Sequence, residues 1–184
     1  MGNGYPKYAS ALIAEAYPDT EFEFINLGIS GNRTGQLFDR LYADAIALEP
    51  DVISILIGIN DLWHRYGWEN VATTDAQIEL NYRCILERIR RETNAKIMIL
   101  APFLLDCDDK ENIRQDLGTL LPIVRRLAEE YADVYIPLDA HFAAALPNVQ
   151  PKYYSWDGVH PNENGAAFIG NLYAEAIKPL IEQL

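Results

Sequence analysis

Val52-Ile53-Ser54-Ile55-Leu56-Ile57, followed at once by Gly58-Ile59-Asn60-Asp61, decides the fold. The run is almost wholly apolar and rich in β-branched side chains, with none of the polar alternation of a half-exposed strand. That is the pattern of a strand covered on both faces, as in a parallel sheet. Working outward, Lys96-Ile97-Met98-Ile99-Leu100 repeats the pattern, and Val134-Tyr135-Ile136-Pro137 is a short last strand. Upstream, Glu21-Phe22-Glu23-Phe24-Ile25-Asn26 alternates enough to predict another.

Helical spacing fills the intervals. Tyr5 to Tyr17 carries Tyr8, Leu12 and Ala16 on one face, with Pro6 tolerated in the first turn. Leu37, Leu41, Ala45 and Leu48 mark a second helix, with Asn32 or Thr34 as its expected cap. Asp75 is expected to cap a helix bearing Ile78, Tyr82, Ile85 and Ile89. Residues 112–131 repeat Ile113, Leu117, Leu121, Val124 and Leu127, where Gly118 and Pro122 should kink or divide the helix. A short helix follows from Asp139 to Ala145, and the last begins near Asn162 and packs Ile169, Tyr173, Ile177 and Leu180. One helix and then four strand–helix units predict a single α/β domain over residues 1–184, its mostly parallel sheet flanked by helices. Such domains commonly open on a central strand, and this chain opens on a helix.

Composition narrows the partners. A chain of 184 residues, 49% apolar and 23% charged, has the size and balance of a globular domain with a full core. Its formal net charge of −12 opposes binding to nucleic acid or an anionic membrane. No apolar run approaches the ~20 residues of a bilayer span. Met1-Gly2-Asn3-Gly4-Tyr5-Pro6-Lys7 lacks the basic flank and hydrophobic region of a secretory signal, so a cytoplasmic location is expected. Cys84 and Cys107 are far apart without C-x-x-C spacing, and both are expected to be reduced thiols. Neither they nor His64, His141 and His160 show the spacing of a metal site, and no cofactor is expected.

Chemistry in a parallel sheet gathers at the carboxyl ends of strands. Three groups fall there or in a long loop: Gly28-Ile29-Ser30-Gly31, Gly58-Ile59-Asn60-Asp61 and Trp156-Asp157-Gly158-Val159-His160-Pro161. In the last, a tight loop lets Asp157 accept a hydrogen bond from one ring nitrogen of His160, leaving the other as a base. Gly31, without a Cβ, lets a main-chain N–H approach a ligand oxygen, and the Asn60 amide is a second neutral donor. Each group also has a plainer reading. Gly28 and Gly31 suit a strand-to-helix turn, Asn60-Asp61 and Asp157-Gly158 are good turn pairs, and a lone histidine is more often structural. Neither phosphate-binding glycine motif is present, which weighs against a nucleotide-binding α/β protein.

Taken in this order around one sheet, Asn26-Leu27-Gly28-Ile29-Ser30-Gly31, Ile57-Gly58-Ile59-Asn60-Asp61 and Asp157-Gly158-Val159-His160-Pro161 resemble three sequence blocks of the SGNH (GDSL-type) hydrolases. Ile57-Gly58-Ile59-Asn60-Asp61-Leu62-Trp63, with Trp156 ahead of Asp157, is similar to acetylxylan-esterase-like members. The resemblance implies a three-layer flavodoxin-like sandwich and an esterase that removes acetyl groups from a carbohydrate. Gly31 N–H and the Asn60 amide would be oxyanion donors, Asp157 and His160 the acid and base of a triad, and Trp63, Trp156 and Tyr66 a stacking wall for a sugar.

The first block of that family, a strand ending in Gly-Asp-Ser with the nucleophilic serine, should precede the first helix. Met1-Gly2-Asn3-Gly4-Tyr5 resembles the segment just after that block. The expectations are therefore an absent first strand, an absent nucleophile and impaired activity. Ser30, Ser54 and Ser155 are poor substitutes by position. The expected partner is a small-molecule or carbohydrate ester, and a homo-oligomer is an open alternative. A rival from another class is a non-catalytic carbohydrate-binding module that keeps the esterase cleft.

Overall fold

In the computed structural model, which describes residues 1–66, 72–105 and 109–184, the run at 52–57 builds β1 (Val52–Ile55). It pairs in parallel with β2 (Lys96–Leu100), and β2 pairs in parallel with β3 (Val134–Ile136), giving the order β1-β2-β3. Because successive strand side chains point to opposite faces, the apolar runs feed two cores. Ile53, Ile55, Ile97 and Ile99 turn to one side, where they meet Leu41 of α2 (Thr34–Asp44), Ile78 and Ile85 of α4 (Asp75–Glu92), and Leu120 and Val124 of α5 (Glu111–Tyr131). Val52, Met98, Leu100 and Ile136 turn to the other. They meet Ile13 of α1 (Tyr5–Ala16), Phe142 of α6 (Leu138–Ala145), and Ile169 and Ile177 of α7 (Glu163–Ile181). The result is the expected sandwich of helices, parallel sheet and helices. No helix among the described residues is long and apolar enough to cross a membrane.

Several local expectations are corrected. The stretch Glu21–Asn26 is not a strand. Phe22 and Phe24 stack at 5.5 Å between ring centroids and pack on the core beneath α1 and α7, while Glu21, Glu23 and Ile25 point outward. Alternation is thus kept, but no main-chain group of residues 21–28 pairs with the main chain of any described residue. A cleft of about 560 Å³, lined by both segments, lies between this stretch and β1.

Gly58-Ile59-Asn60-Asp61, of which Asn60-Asp61 had a turn as its plainer reading, leads into α3 (Ile59–Tyr66). The α5 helix is continuous through Pro122. A proline ring crowds the carbonyl four residues back, here that of Gly118, whose Cβ position has no neighbour within 4 Å, so the backbone there has room to yield. The cap of α4 is Thr74 rather than Asp75: Thr74 Oγ1 accepts the Gln77 N–H at 3.2 Å, and Gln77 Oε1 accepts the Thr74 N–H at 2.9 Å. The cap of α2 is Arg33, not Asn32 or Thr34. Asn162 does cap α7, accepting from Asn164 N and Gly165 N. Cys84 is a free thiol, while Cys107 and part of its acidic loop lie outside the described residues.

Candidate active site

The loop between α6 and α7 carries Asp157 and His160, the expected acid–base pair, and its shape is fixed locally. Ser155 and Pro161 bridge in antiparallel fashion, and Asn162 N–H donates to Tyr154 O at 2.8 Å, closing the loop at its base. Inside it, Gly158 has φ +82°, a left-handed conformation that side-chain-bearing residues adopt reluctantly, so the glycine makes the reversal. Ser155, 1% exposed, is the staple. Its Oγ accepts the Gly158 N–H at 2.9 Å and lies 2.7 Å from His160 O and 3.1 Å from Asp157 Oδ1. A hydroxyl has one proton, and the shorter contact takes it. Gly158 O in turn accepts from Leu105 N at 2.8 Å, anchoring the loop to the chain that leaves β2.

This framework saturates the Asp157 carboxylate. Oδ1 accepts the N–H of His160 at 2.8 Å and of Val159 at 3.0 Å, and Oδ2 lies 2.7 Å from His160 Nδ1. Partial burial alone would raise the Asp157 pKa. The hydrogen bond from the His160 ring, with the two main-chain donors, outweighs it and holds the carboxyl well below the usual range. With an ionised acceptor at Nδ1, neutral His160 carries its proton there and presents Nε2 as a base. The ring is 68% exposed and therefore open to a substrate.

The donor half of the site hangs on α3. Asn60 Nδ2 gives one hydrogen to Asn32 O at 3.1 Å, which leaves its second for a ligand. Gly31, at φ +79° in the turn before Asn32, has an N–H that no described group accepts. One residue past Asn60, Asp61 is fully buried and accepts Thr34 N–H at 2.9 Å and Thr34 Oγ1–H at 2.7 Å, while Asn81 Nδ2 donates to Thr34 Oγ1 at 3.2 Å. Burial pushes the Asp61 carboxyl up, against the pull of its Thr34 hydrogen bonds. These contacts tie the Gly31 loop to α3. Trp63, three residues after Asn60 and so on the same helix face, meets the His160 ring at 5.7 Å between centroids. Lys110 Nζ sits 5.4 Å from the Trp63 ring centroid.

All four sequence-selected residues are therefore placed around α3: Gly31 and Asn60 through Asn32, Asp157 and His160 through Trp63. Trp63 is a packing partner of the base, Tyr66 is exposed with its hydroxyl on Asp116 Oδ2 at 2.9 Å, and Trp156 is 75% exposed. Sequence reasoning missed the supporting residues Thr34, Asp61 and Ser155. Asp61 had a signal, an acidic residue four positions past an apolar run, but it was also compatible with a turn. Among the described residues no seryl hydroxyl bonds to the His160 ring, and no cluster of three or more His, Cys, Asp or Glu side chains could hold a metal ion.

An imidazole oriented by a carboxylate, beside amide donors at the carboxyl end of a parallel sheet, is the equipment of an acyl-ester hydrolase. The chain belongs to the GDSL-like lipase/acylhydrolase family, whose model it matches over residues 1–168. It is 29% identical over 180 residues to an acetylxylan esterase from Geobacillus stearothermophilus, covering 96% of this chain and 82% of that protein. A structure from Parabacteroides merdae described as a GDSL-like lipase superposes with TM-score 0.91 at 31% identity, covering 97% of this chain and 83% of the other. The crystal structure of the Geobacillus stearothermophilus acetylxylan esterase superposes with TM-score 0.86 at 28% identity, over 95% and 81% of the two chains.

Proposed function

We propose that the site deacetylates a carbohydrate ester, with His160 as general base, Asp157 as its orienting carboxylate, and Gly31 N–H and the Asn60 amide as oxyanion donors. The carrying observation is the 2.7 Å contact from His160 Nδ1 to a fully bonded Asp157. The similarity to acetylxylan esterases supports the substrate class. His160 Nε2 takes a proton from the attacking oxygen as that oxygen bonds to the acetyl carbon. The carbonyl electrons move onto oxygen, where the two N–H donors receive the charge. Collapse breaks the bond to the sugar oxygen, which leaves with the proton held by His160.

Among the described residues no seryl hydroxyl bonds to the ring, and we propose water as the attacking oxygen, which is less well held than a serine. Losing the nucleophile of a serine hydrolase costs on the order of 10⁶ in rate, while binding and oxyanion stabilisation retain roughly 10³–10⁴ over water. Very weak hydrolysis is therefore expected for p-nitrophenyl acetate and acetylated xylo-oligosaccharide. Measuring both with the unmodified chain and with His160→Ala tests the proposal. Loss of the residual rate supports it, and an unchanged rate removes His160 from the chemistry. Turnover in the usual enzyme range of about 1–10³ s⁻¹ would instead reject the water route.

A further inference from the structure

The acid–base loop meets α3 and the start of α5 through a stack of three side chains. One hydrogen bond, between Nδ1 and Asp157 Oδ2 at 2.7 Å, fixes a single corner of the His160 ring and leaves its plane free to turn. The ring is 68% exposed, so the core does not hold it. Trp63 does: its ring lies 5.7 Å from that of His160 between centroids, at an angle of 50°. Trp63 is itself half-buried against the core and stands three residues after Asn60 on α3. One indole therefore sets the base and the amide donor in a fixed relation.

Lys110, the residue before α5, completes the stack. Its Nζ lies 5.4 Å from the centre of the Trp63 ring, and its side chain is 11% exposed. Its ion-pair partner Asp109, at 2.9 Å, is 78% exposed, and a pair so open to water contributes little. The better-shielded contact is the one with the indole, and a cation on an aromatic face gains most when water is excluded from it. The Asp109 carboxyl is held below its usual range by the hydrogen bond from Lys110, against the repulsion of Asp157, which places the pair within electrostatic reach of the acid–base loop. The chain that leaves β2 thus engages that loop twice. Leu105 N–H donates to Gly158 O at 2.8 Å, and Lys110 acts through Trp63.

We propose that Lys110 is a positioning residue for the candidate base: by pinning the Trp63 indole against the His160 ring, it fixes the plane in which Nε2 meets the attacking oxygen. It acts through Trp63 rather than on the substrate. The effect on rate rests on the reading of His160 as the base, whereas the stack is a matter of geometry alone.

The experiment follows the carbon-bound imidazole protons of His160 by NMR in the purified chain, assigned by their loss in His160→Ala. Protons beside an indole are displaced by its ring current, so these signals report the Trp63–His160 geometry directly. Lys110→Met keeps most of the stem and removes the charge. It should move the His160 signals and lower kcat for the residual hydrolysis of p-nitrophenyl acetate by roughly tenfold with KM unchanged, short of the ~10² that a misplacement of about 1 Å can cost. Lys110→Arg, which keeps a cation over the ring, should restore both. Asp109→Asn, which removes the ion pair and spares the stack, should change neither. Lys110→Gln serves the same end if the methionine variant does not fold.

His160 signals that stay in place in Lys110→Met, or that move as far in Asp109→Asn, overturn the proposal. Signals that move without rescue by Lys110→Arg overturn the role of the cation. Moved and rescued signals with an unchanged rate of hydrolysis leave the stack standing and count against His160 as the base.

Discussion

The loop at 154–162 and the segment at 21–29 are both irregular, yet they are irregular for opposite reasons. The loop makes its own partners: Ser155, Asp157 and Asn162 satisfy neighbouring main-chain groups within a few residues, and one contact to Leu105 anchors the whole. The segment has strand-like alternation and little else. Gly28 N–H turns to the Asn26 side chain at 3.1 Å, and Leu27 O accepts from Arg40 at 2.8 Å. The difference teaches that a short polar constellation can encode its geometry locally, whereas an extended apolar stretch becomes a strand only when another strand lies beside it.

The contrast is sharpest in amide exchange. The N–H groups of Val159 and His160 should exchange at least about a hundredfold more slowly than those of Phe22 and Phe24, which have no main-chain partner. Equal rates measured by hydrogen–deuterium exchange would erase the distinction. On the chemical side, His160→Ala should lower the residual p-nitrophenyl acetate rate by roughly 10²-fold, the low end for a general base, with no change in the secondary structure read by circular dichroism. A loss of fold alongside activity would show that the loop is held by the ring rather than by Ser155 and Asp157.

Asp61→Ala sharpens the comparison at the other half of the site. It strands the Thr34 N–H in a buried position and should cost about 1–3 kcal/mol in a urea melt, while Asn81→Ala costs less. If the two cost the same, Asp61 is not what ties the Gly31 loop to α3. The smallest effect is in the acid limb. The Asp157 pKa is depressed in the fold, so its stabilisation is complete above the unfolded value of about 3.9 and is lost as pH falls through the folded one. Asp157→Asn should therefore flatten the fall of Tm below about pH 4 and lower Tm above it. An unchanged acid limb would mean that Asp157 is bonded no better in the fold than in the unfolded chain.

How far the sequence carried these conclusions varied by element. The strands at 52, 96 and 134 were legible because each is mostly apolar and sends side chains into a core on both faces of the sheet. The Asp157–His160 geometry was legible because three residues and a glycine suffice to define it. At Glu21–Asn26 alternation recorded which side chains turn inward, but not whether main-chain partners are present. The α3 helix was hidden because Gly58, Asn60 and Asp61 are turn formers in isolation. Asp61 is recruited into a helix by a threonine 27 residues earlier, a contact that no local pattern announces. Thr74 and Asp75 are both good caps, and only the reciprocal bond with Gln77 separates them.

The open edge of β1 has a colloidal consequence as well. An unpaired row of amides is a template for any copy of the same chain in an extended conformation, and charge is what keeps such copies apart. At −12 the molecules repel one another strongly in dilute buffer. Salt shortens the reach of that repulsion from ~30 Å at 0.01 M to ~8 Å at 0.15 M, while leaving main-chain hydrogen bonding intact. Ionic strength therefore sets how strongly copies of this chain repel one another.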